Sequence, residues 1–265
     1  MIFDTHTHLN DDRFFANVEK YIKEAHEFDV SKMAVVGYDE EANKRSIELS
    51  DRYSEIYSIV GIHPTEISCY TKEVEETLQE QLAKEKVVAL GEIGLDYYWM
   101  ENDPKTQEKI FRRQLAIARE QHLPVSIHTR SQKNDSDEAY EDVYRILKEE
   151  KVKGIIHSFN GNSEWMKKFI DLGMMISFSG VVTFKNAKQV QEAAKQVPKE
   201  WMLLETDAPY LAPVPMRGKE NHPAYTKYIA QYIADLREET IEEIAYQITI
   251  NAHRLFHLGE KDGKN

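Results

Sequence analysis

Along the chain, short apolar runs alternate with segments whose apolar positions recur every three or four residues. Eight runs read as strands: IFDTH (2–6), KMAVVG (32–37), IYSIVGIH (56–63), VVALGEIG (87–94), PVSIHT (124–129), GIIHSF (154–159), MMISFSG (174–180) and MLLETD (202–207). Most are apolar throughout rather than alternating, which predicts strands buried on both faces of a parallel sheet covered by helices. Between them the period is helical. Phe15, Val18, Ile22 and Ala25 form one predicted stripe, and Phe111, Leu115 and Ala118 another. Asp103-Pro104 predicts a helix start, and Thr240-Ile-Glu-Glu243 predicts a capping box opening the last long helix. The Pro-rich stretch from Pro209 to Pro223 predicts a long loop. No Gly/Ser linker or low-complexity tract divides the chain. Eight strands alternating with helices predict a (β/α)8 TIM barrel of the α/β class, a single domain over residues 1–265. The competing open doubly wound sheet would carry a Gly-rich phosphate loop after its first strand. That position holds Asp4-Thr-His-Thr-His8 instead.

Composition narrows the functional classes. Lys plus Arg is 34 against 46 for Asp plus Glu, a formal charge of −12. A protein that grips nucleic acid by a basic surface is disfavoured by this balance, because such binding rests on phosphate neutralisation. An enzyme that meets a phosphodiester only at a metal-filled pocket is compatible with it. The single cysteine, Cys69, excludes a disulfide framework and reads as inert. No apolar run approaches the roughly 18 residues of a membrane span, and MIFDTHTHLNDD carries no secretory signal, so a cytoplasmic protein without membrane contact is expected. No obligate protein partner is inferred.

The ten histidines carry more information than the net charge. His6 and His8 end the first predicted strand, Glu92 the fourth, His128 the fifth, His157 the sixth and Asp207 the eighth. The C-terminal strand ends of a barrel form one rim, where active sites are built. Residues i and i+2 of a strand point to the same face, so His6 and His8 can meet one ion. Each residue alone has an ordinary reading as a core, capping or ion-paired side chain. Five strands placing such groups at the same end do not, since burying them uncompensated is costly. Imidazole with carboxylate suits zinc, manganese, iron or nickel, and magnesium where oxygen dominates. Glu92 can bridge two ions. The division predicted is His6, His8, Glu92 and Asp207 on one divalent ion, and Glu92, His128 and His157 on the second, with Mg2+, Mn2+ or Zn2+ as the cofactor. Asp207 can also take a proton from a metal-activated water.

These motifs carry a resemblance. Asp4-Thr-His-Thr-His-Leu9, Gly61-Ile-His-Pro64, Gly91-Glu-Ile-Gly-Leu-Asp-Tyr97, His128-Thr-Arg130, Ile156-His-Ser-Phe159, Glu205-Thr-Asp-Ala-Pro-Tyr210 and Arg217-Gly-Lys219 occur in order across most of the chain. The chain resembles the TatD family of metal-dependent deoxyribonucleases, within the wider amidohydrolase-like superfamily. The resemblance implies a barrel, a divalent-metal site and hydrolysis of DNA phosphodiesters, with exonucleolytic cleavage the expected mode and DNA the expected partner. It supports the same six ligands and gives Asp207 and Glu92 catalytic roles. The chain departs from the family pattern at Asn160, in Ser131–Asp135 and at His222.

Several further residues are candidate substrate contacts. His63 reads as a capping residue before a loop or as a contact at the rim. Arg130 reads as a bidentate phosphate ligand or as the partner of a nearby acid. Arg217 and Lys219, on the Pro-rich loop, read as backbone contacts or as solvated charges. Tyr97, Tyr98 and Trp99 read as packing or as a stacking platform. His26, His122, His253 and His257 read as structural or surface residues. Two rival functions remain: a metal-dependent amidohydrolase, lactonase or phosphotriesterase acting on a small molecule, and a non-catalytic metal-binding protein. Glu92, where two-metal amidohydrolases often use a carboxylated lysine, favours the nuclease.

Overall fold

A computed structural model describes residues 1–133 and 136–259; Asn134 and Asp135, the end of the Ser131–Asp135 stretch, lie outside the described residues. The strands are β1 (Ile2–Thr7), β2 (Val30–Val36), β3 (Ile56–Val60), β4 (Val87–Asp96), β5 (Val125–Arg130), β6 (Gly154–Ile156), β7 (Met174–Phe178) and β8 (Met202–Leu204). All pair in parallel in sequential order. The sheet closes where Thr7 bridges to Ala208. Asp4 reinforces that seam: Oδ1 accepts from the Thr206 amide at 2.9 Å and Oδ2 from the Thr206 hydroxyl at 2.6 Å. This is the (β/α)8 TIM barrel that the alternation of apolar runs predicts.

The helices are α1 (Asp12–Phe15), α2 (Val18–Glu27), α3 (Glu40–Arg52), α4 (Lys72–Leu82), α5 (Pro104–Glu120), α6 (Glu138–Glu150), α7 (Ser163–Asp171), α8 (Lys188–Gln196), α9 (Thr226–Arg237) and α10 (Ile241–Leu255). Both predicted caps form. Asp103 accepts from the amides of Lys105 and Thr106, and Thr240 and Glu243 cap each other reciprocally. The stripe expected from Phe15 to Ala25 differs in one respect. A break at Ala16–Asn17 separates α1 from α2, so Phe14 rather than Phe15 is buried with Val18, Ile22 and Ala25. The strands β3, β6 and β8 also stop three residues short of the ends of their apolar runs. His63, His157 and Asp207 therefore sit in the turns after β3, β6 and β8 rather than within strands. No helix among the described residues is long and apolar enough to cross a membrane.

Buried amides hold the mouth in shape. Asn43 of α3 exchanges two hydrogen bonds with the backbone of Gly61, Gln114 of α5 does so with Ile62, and Gln107 of α5 with Asp96. Each amide side chain replaces a missing ladder partner where the strands splay, so the buried backbone groups just past β3 and at the end of β4 stay satisfied. Gly94, paired with His128, has φ +143°, and a Cβ there would lie 2.0 Å from the His128 carbonyl oxygen. Only glycine lets β4 approach β5 this closely beside a candidate ligand.

Candidate metal centre

Glu92 lies at the centre of the mouth, buried on the long strand β4, and its two oxygens face two different sets of imidazoles. Oε2 is 3.5 Å from His6 Nε2 and 3.9 Å from His8 Nε2. Oε1 is 2.8 Å from His128 Nδ1, 2.9 Å from His157 Nε2 and 3.6 Å from His63 Nε2. Asp207 completes the first set, with Oδ1 3.7 Å from His6 Nε2 and 3.4 Å from His8 Nε2. Asp207 occupies the left-handed region at φ +55°, uncommon for a residue with a side chain. Hydrogen bonds on both sides hold it there: its amide donates to the His6 carbonyl at 2.9 Å, and its carbonyl accepts from the Tyr210 amide at 2.9 Å.

Hydrogen bonds behind the imidazoles decide which nitrogen faces the mouth. His8 Nδ1 lies 2.9 Å from the Val36 carbonyl, so it carries a proton and leaves Nε2 pointing at His6 Nε2, 3.3 Å away. His157 Nδ1 is 3.0 Å from Glu205 Oε1, which turns its Nε2 toward Glu92. His128 presents Nδ1 to Glu92 and Nε2 to Asp96 Oδ2, at 2.9 Å.

Charge is concentrated here in burial. Burial alone would raise the Glu92 carboxyl, but the charges of His157 and His63 and hydrogen bonds from His128 and His157 hold it well below the usual carboxylate range. Burial would lower His157, and Glu92 and Glu205 together outweigh that and hold it well above the usual imidazole range. His128 is likewise raised against burial by Asp96 and Glu92, and His8 by Asp207. His6, buried and next to His157, is lowered. Asp4, behind the seam, is pushed up to about 7 by burial against the hydrogen bonds from Thr206. The buried carboxylates thus demand positive charge, from protonated imidazoles or from cations.

The donor set fits divalent ions. Ligands at about 2.0–2.1 Å from a zinc-sized ion in a tetrahedral arrangement stand about 3.3–3.4 Å apart. His6 Nε2, His8 Nε2, Glu92 Oε2 and Asp207 Oδ1 approach one another at 3.3–3.9 Å across the imidazole–imidazole and imidazole–carboxylate pairs. Most of these pairs are too long for good hydrogen bonds, and they suit a shared cation. His6 Nδ1, buried, has no hydrogen-bond partner among the described residues. On the other side, His63, Glu92 and His128 form a second compatible group, and His6, His157 and Glu205 a third.

A cavity of about 690 Å³ opens above these groups and is lined by His8, His63, Glu92, His128, His157 and Asp207, with Arg130 and Trp99 among the residues at its edge. His6 lies beneath it, fully buried. Arg217 and Lys219 are placed outside the lining. The Arg217 guanidinium stacks over the Phe184 ring at 3.8 Å, so the loop charge expected at the mouth is turned aside by an aromatic face. Tyr97 is buried and its hydroxyl donates to Asp142 at 2.8 Å, which removes it from any stacking platform. Tyr98 and Trp99 are exposed. Asn160 lines the cavity; His222, His26, His122, His253 and His257 do not. Sequence reasoning assigned no role to Asp4, Asp96 or Glu205. Their signal was present, since each is an acid within two or four residues of a candidate ligand in a motif already singled out.

A model of the family described as TatD related DNase matches residues 3–257. An uncharacterized metal-dependent hydrolase of Bacillus subtilis, YabD, is 43% identical over 261 residues, covering 97% of this chain and 100% of that protein. The crystal structure of YJJV, a TatD homolog from Escherichia coli, superposes with a TM-score of 0.87 at 27% identity, covering 97% of this chain and 98% of that one. A structure described as an organophosphate-hydrolysing variant engineered from a lactonase shares the fold, with a TM-score of 0.67 at 13% identity over 96% of this chain and 95% of the other.

Proposed function

The chain belongs to the TatD-related DNase family of metal-dependent hydrolases, and from that premise we propose that it hydrolyses DNA phosphodiester bonds at a mouth that would hold two divalent ions, with Glu92 serving both. The observation that carries this reading is the two-sided environment of Glu92, one oxygen facing His6 and His8 and the other facing His128 and His157. His6, His8, Glu92 and Asp207 would hold one ion, and Glu92, His128 and His157 the other. When bound, such a pair supplies an activated water and neutralises charge on the phosphoryl group.

The chain's own residues do the rest. Asp207 is held below the usual carboxylate range by His8, His157 and His6 around it, against burial, and accepts the proton of the attacking water. The water oxygen bonds to phosphorus as the ester oxygen leaves. His63 is positioned to contact substrate beside His128, 4.4 Å away between ring centroids. Arg130 forms no ion pair among the described residues and lies at the cavity edge, so its guanidinium is free to take a phosphate oxygen. An acidic protein meets a polyanion only here, which explains how a formal charge of −12 is compatible with the substrate.

An end-labelled oligonucleotide digest with Mg2+, Mn2+ or Zn2+ and an EDTA control tests the proposal. Metal-dependent shortening of the label, abolished by EDTA, is expected, and its ladder reports exonucleolytic polarity. Hydrolysis of a lactone or phosphotriester panel with no DNA cleavage under any of the three ions would overturn it in favour of a small-molecule hydrolase.

A further inference from the structure

One acid near the candidate ion ligands has two jobs. Asp96, at the end of β4, is 1% exposed. Its Oδ2 lies 2.9 Å from His128 Nε2. Its Oδ1 accepts from the amides of Tyr98 at 2.8 Å and Trp99 at 2.9 Å. Its own backbone is clamped at both polar groups by Gln107. A single rigid carboxylate therefore fixes the imidazole of a candidate ion ligand and the backbone turn that follows β4.

That turn presents an unusual surface. Tyr98 is 48% exposed and Trp99 is 59% exposed. Trp99 rims the cavity, and a large aromatic this open beside a cavity needs a reason. Arg130 lies over the Tyr98 ring at 4.2 Å and 5.8 Å from the Trp99 ring centre. Trp99 stands edge-on to Tyr98, at 88°, and Trp99 and Arg130 line the cavity whereas Tyr98 does not. The three residues divide the work: Tyr98 braces the guanidinium from outside, leaving a cation and an indole facing inward. Arg130 follows His128 by two residues on β5, on the same strand face and about 6.6 Å farther along. The register Asp96 to Arg130 and the hydrogen bond from the Tyr97 amide to the Arg130 carbonyl at 2.8 Å fasten the two strand ends together.

We propose that Trp99 and Arg130 form a subsite for the nucleotide flanking the scissile phosphate, the base stacked on Trp99 and its phosphate on Arg130, and that Asp96 holds this subsite in register with His128. The subsite rests on the phosphodiester reading; the latch through Asp96 does not. Stacking suits the chemistry because every base has a π-face, and an indole recognises it without reading sequence. The guanidinium adds the anion recognition that the acidic surface elsewhere withholds. Asp96 is a positioning residue: it reaches the substrate only through the turn and the imidazole it holds.

The test uses full-length protein and a series of labelled oligonucleotides, each with one abasic nucleotide at a successive position. In the wild type, an abasic nucleotide beside the cut raises KM at least about fivefold with little change in kcat. Trp99→Ala raises KM for the intact strand by a similar factor and erases the abasic penalty, while Trp99→Phe retains it. Asp96→Asn keeps the shape of the side chain but offers an amide where two groups need oxygen. It weakens uptake of one Mn2+ equivalent about 10–100-fold by calorimetry without DNA, and it reduces the abasic penalty. Circular dichroism and the melting temperature verify that each variant is folded. An abasic penalty that survives Trp99→Ala overturns the subsite. Unchanged Mn2+ affinity in folded Asp96→Asn overturns the latch. If the wild type neither binds nor cleaves any oligonucleotide, the phosphodiester reading and the subsite fall together, and the calorimetry still decides the latch.

Discussion

The two ends of the barrel are built from the same strands on opposite principles. Below the mouth, Phe3, Ala34, Val88, Ala89, Ile155, Met175 and Leu203 pack with Ala252 of α10 and with Phe256 just after it into an apolar cluster. Phe3 stacks on Tyr57 and meets Phe256, each at 5.8 Å between ring centroids. Three residues farther along β1, His6, just as deeply buried, enters a cluster of imidazoles and carboxylates that opens to the cavity. Apolar side chains need only shape from their neighbours. Buried polar groups need a specific partner, and several near the mouth have no hydrogen-bond partner among the described residues: His6 Nδ1, Thr7 Oγ1, Thr129 Oγ1 and Glu205 Oε2. One end is filled chiefly by apolar packing, with Asn251 of α10 hydrogen-bonded to the carbonyls of Lys199 and Met202, whereas the other concentrates polar groups in an arrangement that suits ions and substrate. Rules of stability are broken where function requires it.

Four substitutions would break or sharpen that contrast. Glu92→Ala removes the group both sides of the mouth share. It is expected to abolish divalent-ion uptake at both positions and to lower turnover by far more than the roughly 100-fold typical of losing an outer partner of a ligand. The melting temperature of the ion-free protein should hold or rise. Elemental analysis after dialysis checks the ions, and retention of both would sink the bridge.

At the other end, Phe3→Ala should cost about 3–5 kcal/mol of unfolding free energy by urea titration, with the ion stoichiometry of the folded fraction unchanged. A loss under about 1 kcal/mol would mean that α10 collapses onto the gap. Between these lies Glu205→Gln, which offers His157 an amide in place of a carboxylate. A 10–100-fold weaker affinity for one ion equivalent is expected, read by competition with a chelator.

The smallest effect belongs to neither end. Glu108 on α5 accepts from Arg112 at 2.9 Å and from Arg145 of α6 at 3.0 and 2.7 Å. Arg145 first, then Arg112, lower its carboxyl from an ordinary 4.5 to about 2 against partial burial. A folded-state value below the unfolded one contributes stability that is complete above the ordinary value and is lost as pH falls from about 4.5 to about 2. Solvent screening keeps the contribution below about 1 kcal/mol. Glu108→Gln should therefore flatten the pH dependence of unfolding across that window and leave ion affinity untouched.

The apolar runs, the caps at Asp103 and Thr240, and the end of each strand at which the His and acidic residues fall are local properties, so the sequence by itself determined the barrel and which His and acidic side chains meet at its mouth. The partition of Glu92's oxygens, the imidazole nitrogen that each ligand turns inward, and the orienting acids Asp96 and Glu205 were decided only by the tertiary structure. So was the removal of Arg217 to the face of Phe184. Those outcomes depend on which side chains from distant strands meet at a few ångströms, and a one-dimensional pattern records the spacing along a chain but not the angles across a barrel.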